Sequence, residues 1–228
     1  MARKRQRYIP AKAALSIEVA ELMRWIRFTN EFRRIQRTIW YKGVKGRERN
    51  GEHCYQLLMV AWFICSRKAQ HLDIFKVFRY VVVHDLPEIY AKDTPAFKGR
   101  LGKYAKGPSR EDKAQREARA LRRIDREWGG IFPDVVKWIE AYEAQEDEES
   151  QFVYALDKLL SELNIFEDNG RTDKTLGLTL ADKIPFKRPR IAKHPLLLKY
   201  YDEMCEFMQL YHADKFYVPD TETKPAAE

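Results

Sequence analysis

An all-α fold, organised as a single domain, is what this sequence predicts, and three observations predict it. Apolar residues recur at spacings of three and four along most of the chain. Glycines and prolines cluster between those periodic stretches, where they punctuate helices. Neither an internal repeat nor a β-hairpin signal is visible. With 228 residues, 45% of them hydrophobic and 13% aromatic, the chain can bury one core.

Residues 13–39 carry two apolar series, Leu15, Val19, Leu22, Met23, Ile26 and then Phe28, Phe32, Ile35, Ile39. Each describes one helical face, and the phase slips between them. They form either two helices or one helix with a broad buried face. Residues 40–51 are polar and glycine-bearing and read as a loop. A helix follows from Glu52 to Ala69 and another from Asp73 to about His84. The run Val81-Val82-Val83 also suits a buried strand, but Ile74, Val77, Phe78, Val81 and Val82 keep helical spacing, which favours a fully buried helix. Residues 91–109 hold Pro95, Pro108, Gly99, Gly102 and Gly107 among basic residues, and read as a long loop suited to a lid. Ser109 is placed to cap a helix that runs to Trp128 and ends at Gly129-Gly130. Pro133 opens the next helix. The acidic run Glu143 to Glu149 reads as a helix end and turn, Gln151 to Asp168 as a helix closed by Asn169-Gly170, and 194–212 as a last amphipathic helix. The organisation expected is a basic extension over 1–12, the domain over 13–212 and a polar tail over 213–228.

The formal net charge of +8 attracts anions: nucleic acid, an acidic membrane or a phosphorylated small molecule. Much of the excess lies in Arg3 to Lys12 and in Lys183 to Lys193, which read as solvated surface. Cys54, Cys65 and Cys205 are odd in number and form no CxxC. That argues against a disulfide framework and for a reducing cytoplasm. Cys54 and Cys65 sit in an apolar helical pattern and read as core. No apolar run reaches membrane-spanning length, and no apolar stretch follows the basic N-terminus as a signal peptide requires.

One constellation carries chemistry. His84-Asp85 ends the apolar helix VFRYVVV. Alone, the pair reads as an ordinary helix end. Buried ligand-type side chains are costly, however, unless something satisfies them. His53 lies 31 residues upstream at the start of an apolar helix, and Asp157 lies 72 residues beyond Asp85 inside another. Two His and two Asp from three helices make a site for a divalent metal with open positions for water and phosphate. Mn, Co, Fe, Zn and Mg all suit such donors. Glu88 stands one turn beyond Asp85 and suits a general acid or base. Asp93 stands where the helix gives way to the Pro95 loop, at the rim. His71, His194 and His212 read as structural or exposed, His71 being the first extra ligand to consider for a second metal. No P-loop, dinucleotide-binding glycine motif or Ser/Cys nucleophile signature is present.

NGEH around His53, HDLPEIYAKDTP over 84–95 and ALDKLLSELNIFEDNG over 155–170 together resemble the HD-domain phosphohydrolase superfamily, in particular the small bacterial and phage HD-domain 5′-deoxynucleotidases. The resemblance spans about residues 30–170. It implies an HD-type helical bundle with His53, His84, Asp85 and Asp157 as metal ligands. It also implies that Glu88 acts on the water or leaving group and that Asp93 positions the sugar end. The family's phosphate-binding arginine corresponds to Arg37, with Arg34, Arg47 and Arg49 as competitors. Its sugar-recognising tryptophan corresponds to Trp40, although here Thr38 and Ile39 separate the two.

The function expected is hydrolysis of deoxynucleoside 5′-monophosphates by a cytoplasmic, homo-oligomeric enzyme with a small nucleotide substrate. The alternative within the family is triphosphate release from deoxynucleoside triphosphates, favoured by the basic loop over 97–110. Hydrolysis of a guanosine tetraphosphate-type alarmone has no further motif behind it. A nucleic-acid-binding helical protein is the alternative of a different class. It leaves the His/Asp set unexplained, and no helix-turn-helix, zinc finger or RNA-binding motif accompanies the charge.

Overall fold

A computed structural model describes residues 15–43, 45–92 and 110–211. The 1–12 extension, the 213–228 tail, Ser109, His212, Asp93 and most of the 91–109 loop lie outside the described residues.

The fold is helical. Ten helices run in chain order among the described residues: α1 (Ile17–Phe32), α2 (Asn50–Lys68), α3 (Ile74–Val83), the single turn α4 (Glu88–Ala91), α5 (Arg110–Trp128), α6 (Pro133–Ala144), α7 (Glu148–Glu167), α8 (Arg171–Leu176), α9 (Leu180–Ile191) and α10 (Pro195–Tyr211). Their ends follow local chemistry. Ser16 caps α1 by accepting from the Val19 N–H, and Asp73 caps α3 through the Phe75 and Lys76 N–H groups. Asp147 caps α7 through the Ser150 N–H. The acidic run thus holds the end of α6, a turn at Gln145 in the left-handed region, and the first turn of α7, where carboxylates suit the helix dipole.

Two expectations for residues 13–51 are corrected. A two-stranded antiparallel sheet, β1 (Gln36–Trp40) paired with β2 (Arg47–Arg49), replaces the end of the predicted helix and much of the predicted loop. Gly43 and Gly46, both at positive φ, sit in the connection. Phe28, Phe32, Ile35 and Ile39 kept helical spacing by coincidence, since the last lies on a strand. The partner strand is Arg-Glu-Arg and leaves no apolar alternation to read. The first apolar series is also not a buried face, because Leu15, Val19, Leu22, Met23 and Ile26 are all exposed. Helix α1 docks instead through Trp25, Phe28 and Phe32. The helix α3 is not fully buried either, for Phe75 and Val82 face solvent while Val77, Tyr80, Val81 and Val83 are enclosed.

The core has two main parts. One joins α2, α3, α7, α9 and α10 around Leu57, Val77, Val81, Phe152, Leu156, Leu160 and Tyr201. The other joins α1, α4, α5 and α6 around Phe28, Ile124, Trp128 and Ile139, and Trp25 meets Trp128 edge-on at 5.0 Å.

The basic stretch Lys183 to Lys193 needs a further correction. Lys183 and Lys187, read as solvated, are buried on α9. Lys183 Nζ lies 2.5 Å from both Glu162 and Asp173, and Lys187 Nζ lies 3.0 Å from Glu162 and donates to Ser161 Oγ at 2.7 Å. Buried ammonium groups persist only with such partners. No helix among the described residues is long and apolar enough to cross a membrane.

Candidate metal centre

Three elements of the first core meet where α3 ends. Helix α3 stops at Val83 and hands the chain to His84-Asp85. Helix α2 starts at Asn50 and turns His53 inward from its first turn, and α7 carries Asp157 among Ala155, Leu156, Leu159 and Leu160. His53, His84 and Asp157 each offer one ligand atom within 4.8 Å of the other two, and all three are buried.

The orientation of each imidazole follows from its other nitrogen. His84 Nδ1 lies 2.8 Å from the Val81 carbonyl, an oxygen that can only accept. Nδ1 therefore carries a proton, and Nε2 is the nitrogen turned toward the cluster. His53 Nδ1 lies 3.4 Å from Glu48 Oε1, which biases it the same way. The two outward nitrogens then face anions. His53 Nε2 is 3.0 Å from Asp157 Oδ1, and His84 Nε2 is 3.0 Å from Asp85 Oδ2. Neither Nε2 has a hydrogen-bond partner among the described residues. Lone pairs facing carboxylate oxygens repel unless a cation joins them, and a proton or a divalent metal would serve. The donor set suits a metal, and the cluster can hold a divalent ion.

The electrostatics agree. Burial opposes charge on His84, yet Asp85 and Asp157 outweigh it and hold the imidazole well above its ordinary value. Burial would raise the Asp157 carboxyl, but Lys158, His53 and Arg37 hold it well below the usual range. Asp85 is likewise pulled down against burial, by His84 and Arg37. Both acids are ionised at neutral pH.

Arg37 stands between them. From β1 its Nη1 donates to Asp85 Oδ2 at 2.7 Å and its Nη2 to Asp157 Oδ1 at 3.5 Å, while Nε lies 3.1 Å from Glu48 Oε2. Of the competing arginines, Arg34 pairs with Glu31 in solvent and Arg47 stacks on Trp40.

Arg37, His84, Asp85 and Asp157 border a cavity of about 300 Å³, which also meets Glu88, Tyr142, Tyr154, Lys158, Ser161 and Lys187. Glu88 Oε2 accepts from Asn50 Nδ2 at 2.6 Å. Trp40 is placed elsewhere: its ring meets the guanidinium groups of Arg47 at 5.6 Å and Arg171 at 4.6 Å, and β1 contributes Arg37, Thr38 and Ile39 to the cavity wall. His71 pairs with Glu148, exposed and outside the cluster, and His194 is buried against Phe152.

Sequence reasoning missed Glu48, Asn50 and Lys158. Glu48 and Asn50 are fully enclosed and alternate with Arg47 and Arg49, a period-two signal too short to read. Lys158 stood in the quoted segment, beside a proposed ligand, and adjacency was its only signal.

The HD domain family profile matches residues 29–195. The fold is similar to the crystal structure of a predicted metal-dependent phosphohydrolase from Magnetospirillum magnetotacticum MS-1, at 25% identity and a TM-score of 0.69, covering 88% of this chain and 96% of that one. It is also similar to the PH0347 protein of Pyrococcus horikoshii OT3, at 18% identity and a TM-score of 0.53, over 81% of this chain and 96% of that one. A conserved hypothetical protein from Pyrococcus furiosus is similar at 20% identity and a TM-score of 0.53, over 82% and 99%. The two archaeal likenesses speak to the fold alone. No curated protein matches the chain.

Proposed function

The chain belongs to the HD domain family, and from that premise we propose that it is a metal-dependent phosphohydrolase that releases phosphate from deoxynucleoside 5′-monophosphates. One observation carries this reading: two buried imidazole Nε2 atoms face the carboxylates of Asp85 and Asp157, and both carboxylates line a polar cavity. The similar Magnetospirillum protein, described as a predicted metal-dependent phosphohydrolase, supports the reaction class. The cavity, about 300 Å³, lies at the small end of ligand sites and favours one compact nucleotide.

In this reading His53, His84, Asp85 and Asp157 hold the ion. A divalent metal there supplies a Lewis acid for a phosphate oxygen and acidifies a water. Glu88, oriented by Asn50, takes or returns the proton. Arg37 neutralises phosphate charge once Asp157 is engaged elsewhere. Asp93 is proposed to act at the sugar end. A homo-oligomer is supported by exposed Tyr55, Met59, Trp62 and Phe63 along α2.

The test is a panel of nucleoside 5′-mono- and triphosphates with several divalent metals, phosphate and triphosphate being measured separately. Phosphate release from deoxynucleoside monophosphates that stops on chelation is expected. Triphosphate release would move the substrate to the triphosphates. Turnover that survives His84→Ala would remove the metal reading.

A further inference from the structure

The cavity holds a second cation of a different kind from Arg37. Lys158 follows Asp157 on α7, and its Nζ lies 2.5 Å from Asp157 Oδ2. That carboxylate is the one hydrogen-bond partner of Nζ among the described residues, and an ammonium has three donors. The Tyr154 ring lies 5.2 Å away and flanks the same group. The Lys158 side chain is 30% exposed, against 4% for Asp157, and it borders the cavity.

Arg37 is built differently. It is 13% exposed and tied to Glu48, Asp85 and Asp157 at once. Withdrawing it would uncover three acids. Withdrawing Lys158 uncovers one, and that one is the carboxylate an ion would engage. A lysine on a flexible four-carbon stem makes such a move more easily than a clamped guanidinium. Nζ already lies within reach of a donor atom of the proposed ion, so it can touch another ligand of that ion without crossing the cavity. Lys187 lies on the same wall, bonded to Ser161 one turn along α7 from Lys158 and paired with Glu162.

From this we propose that Lys158 is a phosphate-binding residue, parked on Asp157 until an ion engages that carboxylate and then donating to a phosphate oxygen of the substrate. The inference rests on the phosphohydrolase reading and names the residue that holds the phosphate dianion beside Arg37.

The experiment measures binding, not turnover. Mn²⁺ and then inorganic phosphate are titrated calorimetrically into the wild-type protein, Lys158→Met and Lys158→Arg. Lys158→Met is expected to bind Mn²⁺ as tightly as wild type or more tightly, because a competitor for Asp157 is gone, and to bind phosphate at least about tenfold more weakly. Lys158→Arg, which keeps the charge, is expected to restore most of the phosphate affinity. Retained Mn²⁺ binding shows that the variants are folded at the site. Phosphate affinity in manganese-loaded Lys158→Met within twofold of wild type would overturn the proposal and leave the phosphohydrolase reading standing. So would loss of Mn²⁺ binding in Lys158→Met, which would make the residue a support for Asp157. Failure of the manganese-loaded wild type to bind phosphate would overturn the reading and the proposal together.

Discussion

The Asn50 amide donates to the Glu88 carboxylate at 2.6 Å, joining the first residue of α2 to the first residue of α4, whose carboxylate borders the cavity of the candidate centre. Asn50 is completely enclosed, so its rotamer is set by packing and it can hold Glu88 in one orientation. Glu88→Gln is expected to lower kcat by about 10²- to 10⁴-fold with metal content unchanged. Asn50→Ala should cost less, roughly tenfold, because the carboxylate remains but its aim is lost. Steady-state rates at saturating metal, with metal content measured on the same samples, check both.

Metal affinity should depend on the partners behind the ligands as well as on the ligands. His53→Ala, His84→Ala and Asp157→Ala are each expected to abolish stoichiometric metal at micromolar protein. Glu48→Gln removes the carboxylate facing His53 Nδ1 at 3.4 Å, and a loss of about 10- to 100-fold in affinity is expected. Calorimetric titration with a divalent ion reads both effects.

Arg37 neutralises three carboxylates without a metal's help. Its removal leaves buried, like-charged acids facing one another. Arg37→Ala should destabilise the metal-free protein by about 3–5 kcal/mol. Added divalent ion should raise the melting temperature of this variant more than that of wild type, since the ion replaces the missing charge. Equal shifts would contradict the counter-ion role.

Deeper in the fold, Glu162 compensates both Lys183 and Lys187. Glu162→Ala takes the shared carboxylate from Lys187 and leaves Lys183 with Asp173, and is expected to cost about 3–5 kcal/mol, read by urea unfolding. Asp173 remains beside Lys183, so a much smaller loss would mean that it can serve both cations.

Asp147 supplies a pH-dependent term. Burial favours its neutral form, but the Tyr80 hydroxyl, the Ser150 N–H and Lys76 outweigh burial and hold the carboxyl below its ordinary 3.8. A depressed carboxyl stabilises the fold above its unfolded value, and that contribution disappears as pH falls through the folded one. Asp147→Ala should therefore be less stable than wild type by about 1–2 kcal/mol near neutrality. The gap should close as the pH is lowered below the ordinary carboxylate range. A gap independent of pH would exclude the charged cap.

What the sequence by itself determined is substantial. Helical spacing marked α2, α3 and α10, Pro133 marked the start of α6, and Asn169-Gly170 marked the end of α7. His53, His84, Asp85 and Asp157 stood out as ligand-type side chains on apolar elements, because placing such groups there without a partner is costly. The β1–β2 hairpin, the outward face of α1 and the burial of Lys183 and Lys187 were decided by tertiary structure. So were the Arg37 clamp, the Glu48–His53 contact and the Asn50–Glu88 bond. Periodicity reports only which face of one element is apolar. Charged side chains show no such face, and whether they lie in solvent or in the core depends on partners such as Arg37 and Asp157, 120 residues apart in the chain and joined only when the helices pack.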